Sequence, residues 1–204
     1  MAEAPSLLHI FIARHAREPL HAVSSVPAVA GRGLEGDRYF YGEGTFDRPE
    51  TQPDGREVSL ISLQAVKTCR ERLGIDPEGD DLPLAAFRRN LVVDHPDLEA
   101  LMRRTFTIGD VRLRGLRPAP PCKHLQRLMG HDVMTALKGI GGLRAQILSG
   151  GVLHVGDELS EDRPDLFQQL QGLDLSDRSR WGEPIVDTDA YLRAALYGEV
   201  DPSD

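Results

Sequence analysis

The chain has 204 residues, 40% of them hydrophobic, and a formal net charge of −8, which is enough for one main buried core with an appendage. Residues 160–204 hold 11 Asp/Glu against 4 Lys/Arg, leaving 21 acids and 20 bases elsewhere, so a broad basic face for nucleic acid is excluded while a local basic pocket is not. Two cysteines form neither a disulfide framework nor a zinc pattern, the N-terminus lacks a signal-like h-region, and no apolar run approaches the ~20 residues of a membrane span. A soluble, cytoplasmic protein is expected, with no nucleic acid and no membrane among its partners.

In chain order, Leu8–Arg14 reads as a first strand and Val26–Val29 as a short second one. Gly31, Gly33 and Gly36 then fall within six residues ahead of Asp37 and Arg38, which marks a tight turn or a close backbone approach. The spacing fits neither a Walker loop nor a dinucleotide fingerprint. Asp37 and Arg38 read either as a surface pair or as part of a binding loop. Residues 42–56 read as an exposed, mobile loop. Val58–Ser62 is a strand handing over to a helix capped by Ser62, with Leu63, Val66, Cys69 and Leu73 at helical spacing and Gly74 as its stop. That places Cys69 on the apolar stripe, as an inert core thiol.

Phe87–Asp94 is expected to be another strand, entered through Arg88, Arg89 and Asn90. The arginines read as solvated, whereas the Asn amide can offer both donors and an acceptor to a ligand. A short helix is expected over 96–104. Phe106 leads to a Gly109-Asp110 hairpin turn and to the alternating strand from Val111.

Three prolines in four positions, Pro118, Pro120 and Pro121, then stiffen the backbone ahead of Cys122. Leu125, Leu128 and Met129 form the apolar pattern of a short helix that Gly130 ends. A thiol at such a strand-to-helix joint, with Lys123, His124 and several arginines close in sequence, suits a reactive thiolate or a soft-metal ligand. It equally suits a small buried hydrophobe. A second short helix is expected over Asp132–Leu137 with Val133, Met134 and Leu137 inward. Leu143–Leu148 is a strand, and Ser149-Gly-Gly151 a hairpin into Val152–Val155. Arg144 reads either as an outward strand residue or as an anion ligand.

Short strands spaced by Gly-Asp and Gly-Gly turns predict a mainly β fold over residues 1–159, a closed or nearly closed β-barrel with short helical inserts. Residues 160–204 form an acidic C-terminal extension with amphipathic helical segments near 164–171 and 187–197. These would cover a strand edge or a subunit contact, as in a homodimer.

Taken together, Gly33-Leu-Glu-Gly-Asp37-Arg38, Val58–Ser62, Arg89-Asn90-Leu91, Pro121-Cys122 with its basic-leucine helix, and Gly141-Gly-Leu-Arg144 leading to Gly150-Gly151 and Val155-Gly-Asp157 resemble the MOSC domain. The likeness spans roughly residues 8–159, as in a standalone bacterial-type member. It implies a β-barrel and a molybdenum cofactor (molybdopterin) with Cys122 as the catalytic thiol and the metal ligand. Asp37, Arg38, Arg89, Asn90, Lys123 and Arg144 would serve the cofactor pocket. The resemblance also implies binding of a molybdenum ion and of pyridoxal phosphate.

Two functions follow from that likeness. One is reduction of N-hydroxylated compounds at a Cys-ligated metal, fed by a separate electron donor. The other is a sulfur carrier with a persulfide on Cys122, or a cofactor-binding module, served by a cysteine desulfurase. The sequence departs from the family in carrying Arg89 where Glu is common before Asn, and in lacking a ferredoxin-type cysteine set.

Overall fold

The computed structural model describes residues 4–44 and 55–161. The central part of the expected 42–56 loop and both expected C-terminal helices lie outside the described residues. Among those described, the fold is mainly β. Its eleven strands are β1 (Leu7–Ile12), β2 (His21–Val23), β3 (Ser25–Val29), β4 (Gly33–Leu34), β5 (Val58–Ser62), β6 (Leu91–Val93), β7 (Thr105–Ile108), β8 (Val111–Pro118), β9 (Leu143–Ser149), β10 (Gly151–His154) and β11 (Leu159–Glu161). Three helices interrupt them: α1 (Leu63–Arg72), α2 (Lys123–Met129) and α3 (Val133–Ala136).

Eight strands form one mixed sheet in the order β11-β7-β8-β9-β5-β6-β1-β2, and β10-β3-β4 form a smaller one. Only β5 and β6 pair in parallel, with α1 in the crossover between them. β11 and β2 end the large sheet. The chain just before β1 meets the chain just before β11 through a Ser6–Glu158 bridge, and Leu7 N–H donates to the Asp157 carbonyl at 2.8 Å. The strand ladders do not close into a ring, and the expected barrel is represented by a mixed sheet whose distant parts are joined by this bridge and by backbone bonds between residues 5–7 and 156–159.

Alternation along the strands sorts side chains between two cores. Leu7, Ile10 and Ile12 of β1, Val58 and Leu60 of β5, and Leu91 and Val93 of β6 enter one cluster, together with Phe106, Leu113, Leu143 and Ile147. Val26, Ala28, Leu34 and Leu153 of the small sheet join that same cluster. The intervening Phe11, Ile61 and Val92 face the other way, against Val66 and Cys69 of α1 and against Leu125, Val133 and Leu137. Strands β1, β5 and β6 are thus buried on both faces, which explains their continuous apolar runs. Each fully buried large side chain contributes roughly 1.5–3 kcal/mol.

Several expectations need correction. The strand expected over 87–94 begins only at Leu91, because Leu84–Phe87 forms a 3-10 turn and Arg88 takes φ 56°. No helix forms over 96–104. There Asp97 Oδ1 accepts the Glu99 and Ala100 N–H groups in a local turn, and Arg103 N–H donates to the Gly115 carbonyl beside β8. The Gly150-Gly151 hairpin is not made either, since β10 pairs with β3 rather than β9. Gly150 lets the chain cross between sheets: a Cβ there would lie 2.5 Å from the Ala28 carbonyl oxygen. Leu128 and Met134, expected inward, are exposed, while Ala136 is buried.

Candidate functional site

Strand register builds one wall of a cavity. In β9, Leu143 and Ala145 point into the core, so Arg144 points the other way. Its cross-strand partners are Ser59 on β5 and Arg117 on β8. An irregularity between Gly115 and Arg117 is what brings Arg117 opposite Arg144. Like charges directly opposite on neighbouring strands destabilise a sheet unless other groups offset them.

The joint before α2 forms the facing wall. Ala119 N–H donates to the Gly142 carbonyl at 2.8 Å, drawing the proline stretch onto the Gly141-Gly142 segment. A Cβ at Gly141 would lie 2.5 Å from the Ala119 oxygen, so glycine is required by that close approach. Cys122 is the N-cap of α2 and accepts the Leu125 N–H at 3.4 Å on Sγ, while Gly130 closes the helix at φ 69°. The thiol is half-buried, unlike the fully buried Cys69.

Between these walls lies a cavity of about 470 Å³ lined by Arg38, Tyr39, Arg56, Ser59, Arg88, Arg89, Arg117, Pro120, Pro121, Cys122, His124, Leu125 and Arg144. Six of these are arginines and none is a carboxylate. Arg144 is half-buried, and its Nε is a buried donor with no partner among the described residues. Burial lowers its pKa first of all and Arg117 adds to the fall, while Tyr39, which hydrogen-bonds it, and Cys122 oppose. Burial likewise lowers the pKa of Arg88, aided by Arg38, and that of His124, aided by Arg127, Arg88 and Arg17. A concave site lined by arginines, with no carboxylate in its lining and an orphaned buried donor among the described residues, is suited to an anion.

The structure treats the seven expected site residues differently. Cys122, Arg38, Arg89 and Arg144 line the cavity. Asp37 and Asn90 stand behind it, and the reading of Asp37–Arg38 as a surface pair fails because both are buried. Asp37 Oδ2 accepts from Arg38 Nη1 at 2.9 Å and from Asn90 Nδ2 at 3.3 Å, and its Oδ1 accepts the Tyr39 N–H at 3.1 Å. Asn90 Oδ1 in turn accepts from Ser59 Oγ at 2.9 Å, and its amide donates to the Phe11 carbonyl. These two residues hold Arg38, Tyr39 and Ser59 in place. Lys123 is exposed on α2 and does not line the cavity.

Arg89 is buried, and its guanidinium donates to the carbonyls of Gly141 (2.9 Å), Phe87 (3.2 Å) and Ala119 (2.5 Å). Burial, reinforced by Arg144, pushes its pKa down to about 10, while Cys122 and Tyr39 act in the opposite sense. It clamps the two backbone segments behind Cys122.

Sequence reasoning did not assign Tyr39, Arg56, Ser59, Arg117 or His124 to the site. Strand register brings Ser59 and the β8 irregularity brings Arg117, while Tyr39 follows the Asp37–Arg38 loop, Arg56 precedes β5 and His124 follows Cys122 on α2. Gly55 and Arg56, expected in an exposed loop, are buried and half-buried against the Arg144 wall.

No cluster of three or more His, Cys, Asp or Glu side chains could hold a metal among the described residues. A metal here would have to bring most of its ligands and take a single thiolate from the protein. An anionic, metal-bearing organic cofactor fits that donor set, and a bare ion does not.

The fold and site therefore define a mainly β domain with one cysteine at an arginine-lined cavity. Solved structures of the same fold include the YUAD protein from Bacillus subtilis (TM-score 0.63, 16% identity, covering 77% of this chain and 94% of that one). YiiM from Geobacillus stearothermophilus gives a TM-score of 0.58 at 14% identity over 78% and 75% of the two chains. YiiM from Escherichia coli gives 0.54 at 16% over 95% and 96%. The curated proteins yield no match. The MOSC domain family model matches residues 47–160, and the chain belongs to that molybdenum-cofactor-associated family. The Gly33–Arg38 piece of the resemblance lies ahead of the matched region.

Proposed function

We propose that the chain binds the molybdenum cofactor in the arginine-lined cavity, with Cys122 as the protein's ligand to the metal, and reduces N-hydroxylated compounds there. The observation that carries this reading is the half-buried Cys122 thiol in a cavity with six arginines, no carboxylate and an unpartnered buried Nε on Arg144. A thiolate is the softest ligand a protein offers to such a metal.

When bound, the group supplies a centre that can take the oxygen of an N-hydroxyl group. Conversion of N–OH to N–H and water consumes two electrons and two protons, and the electrons come from a separate donor. The chain's own residues have distinct tasks. Arg144 and Arg88 bind the anionic oxygens, Arg144 being well placed through Nε for a charge-assisted bond. Arg89 fixes the proline joint that presents Cys122. Asn90 and Asp37 orient Arg38, and Pro120, Pro121 and Leu125 exclude water from one side.

Purification from a host that makes molybdopterin tests the reading, with metal and pterin measured in wild type and Cys122→Ser. Molybdenum with pterin in the wild type and loss of the metal in the variant are expected. Sulfane sulfur on Cys122 without metal would instead favour a sulfur-carrier role. Neither signal under cofactor-replete, reducing conditions would overturn both.

A further inference from the structure

An oxygen that leaves nitrogen must take a proton before it departs as water, and that proton needs a donor at the cavity. Among the described residues lining it, none is a carboxylate. The Ser59 hydroxyl is committed, donating to Asn90 Oδ1 at 2.9 Å. Guanidinium groups keep their protons at neutral pH, including Arg89, which burial lowers only to about 10. Burial, with Arg127, Arg88 and Arg17 in support, lowers the pKa of His124, so little of its acid form exists at neutral pH. The lining residue that remains with a transferable proton is Tyr39.

Tyr39 is half-buried and held from several sides. Its N–H donates to Asp37 Oδ1 at 3.1 Å, and its carbonyl accepts the Gly42 N–H at 3.3 Å. The Arg38 guanidinium carbon lies 5.1 Å from the ring centroid. The chain at Gly44 packs so closely on the ring edge that a Cβ there would overlap Cε1 and Cδ1. The phenol is hydrogen-bonded to Arg144. A guanidinium has donors and no acceptor, so the phenolic oxygen accepts in that bond, and the hydroxyl hydrogen must turn away from Arg144. With no carboxylate in the described lining to receive it, that hydrogen is available to a ligand oxygen in the cavity that Cys122 also lines.

We propose that Tyr39 is a catalytic residue, the acid that protonates the oxygen leaving nitrogen, an assignment that rests on the molybdenum reading of the cavity. The N–O bond breaks and its electron pair goes with oxygen, which takes the Tyr39 proton and departs as water. Two electrons from a separate one-electron reductant restore the pair on nitrogen, which takes a proton from solvent. The phenolate that remains is held by the charge-assisted bond from Arg144 until solvent returns its proton.

The test compares two substrates that differ in what leaves nitrogen, with reduced methyl viologen as the electron source. Benzohydroxamic acid loses an oxygen that needs a proton, whereas its O-acetyl ester loses acetate, which departs unprotonated at neutral pH. In cofactor-loaded Tyr39→Phe, kcat on the hydroxamic acid should fall about 100-fold or more with KM little changed, while kcat on the ester should change less than about threefold. Gly44→Ala displaces the ring without removing the hydroxyl and should lower kcat on the hydroxamic acid roughly tenfold. Two readouts need no turnover: molybdenum and pterin content should match wild type, and calorimetric phosphate affinity of the cofactor-free chain should stay within about twofold. Phenylalanine keeps the ring against Gly44 and beside Arg38, and circular dichroism checks that the variant folds. Full kcat of Tyr39→Phe on the hydroxamic acid, or equal losses on both compounds, would overturn the assignment and leave the molybdenum reading standing. So would a loss of phosphate affinity as large as that expected for Arg144→Met, which would make Tyr39 a binding group. A loaded wild type that reduces neither compound would overturn that reading and the assignment with it.

Discussion

The region around α1 and the region around the start of α2 each place a cysteine among arginines, yet they do opposite things. At α1, Cys69 is fully buried, and desolvation raises its pKa against the pull of Arg72 and Arg70. Those arginines are occupied: Arg70 donates to the Leu82 and Pro77 carbonyls, and Arg72 to that of Ala136. At α2, Cys122 is only half-buried and opens on a cavity, where Arg89 is occupied in the same way but the Arg144 Nε is not. The difference teaches that a nearby guanidinium has a donor to offer a ligand only when backbone carbonyls leave one over. Arginines with full carbonyl partnerships build the fold.

Substitutions can sharpen or break that comparison. The largest stability loss should come from Arg89→Met, which strands three carbonyls behind Cys122 and is expected to cost about 3 kcal/mol or more in urea unfolding. Cys69→Ser should cost about 2 kcal/mol by burying a hydroxyl in an apolar cluster, while leaving any metal content unchanged. Arg144→Met should change stability by no more than about 1 kcal/mol, since it gives up only a long Nη1 bond to the Gly55 carbonyl (3.4 Å) and the Tyr39 contact of a half-buried charge, yet weaken inorganic phosphate binding about tenfold in calorimetry. If Arg144→Met proved as damaging to stability as Arg89→Met, the division between building and binding arginines would fail.

The smallest effect concerns Glu57, whose Oε2 accepts the Gly31 N–H at 3.1 Å and the Ile147 N–H at 2.9 Å. Burial raises its carboxyl pKa above the ordinary value, with both hydrogen bonds opposing. The folded state therefore takes up a proton where the unfolded chain is still ionised, so this group adds stability as pH falls through the raised pKa toward about 4.5. Glu57→Gln keeps an acceptor and should flatten that small pH dependence in thermal melts.

Much of the fold was legible because local chemistry agreed with the final arrangement. The Ser62 cap, the Gly74 and Gly130 stops, the Gly109-Asp110 turn and the apolar strands at Val58–Ser62 and from Val111 appear as read. The failures share a cause. Gly150 and Gly151 have the composition of a hairpin, but the crossing to β3 that they permit is a tertiary choice. The 96–104 segment lost its helix to backbone bonds with β8. At the site, Cys122 and Arg144 were visible as residue types in place. Whether Arg89 or Asn90 faced a ligand or a neighbouring carbonyl depended on segments 30 to 79 positions away, which no local pattern encodes.

The central claim is that Cys122 is the protein's ligand to a molybdenum held in the arginine-lined cavity. X-ray absorption at the molybdenum edge, on cofactor-loaded wild type and Cys122→Ser, addresses it most directly. The account predicts that whatever metal the variant retains has one sulfur neighbour fewer than the wild type. An identical sulfur shell and equal molybdenum content in both proteins would contradict it.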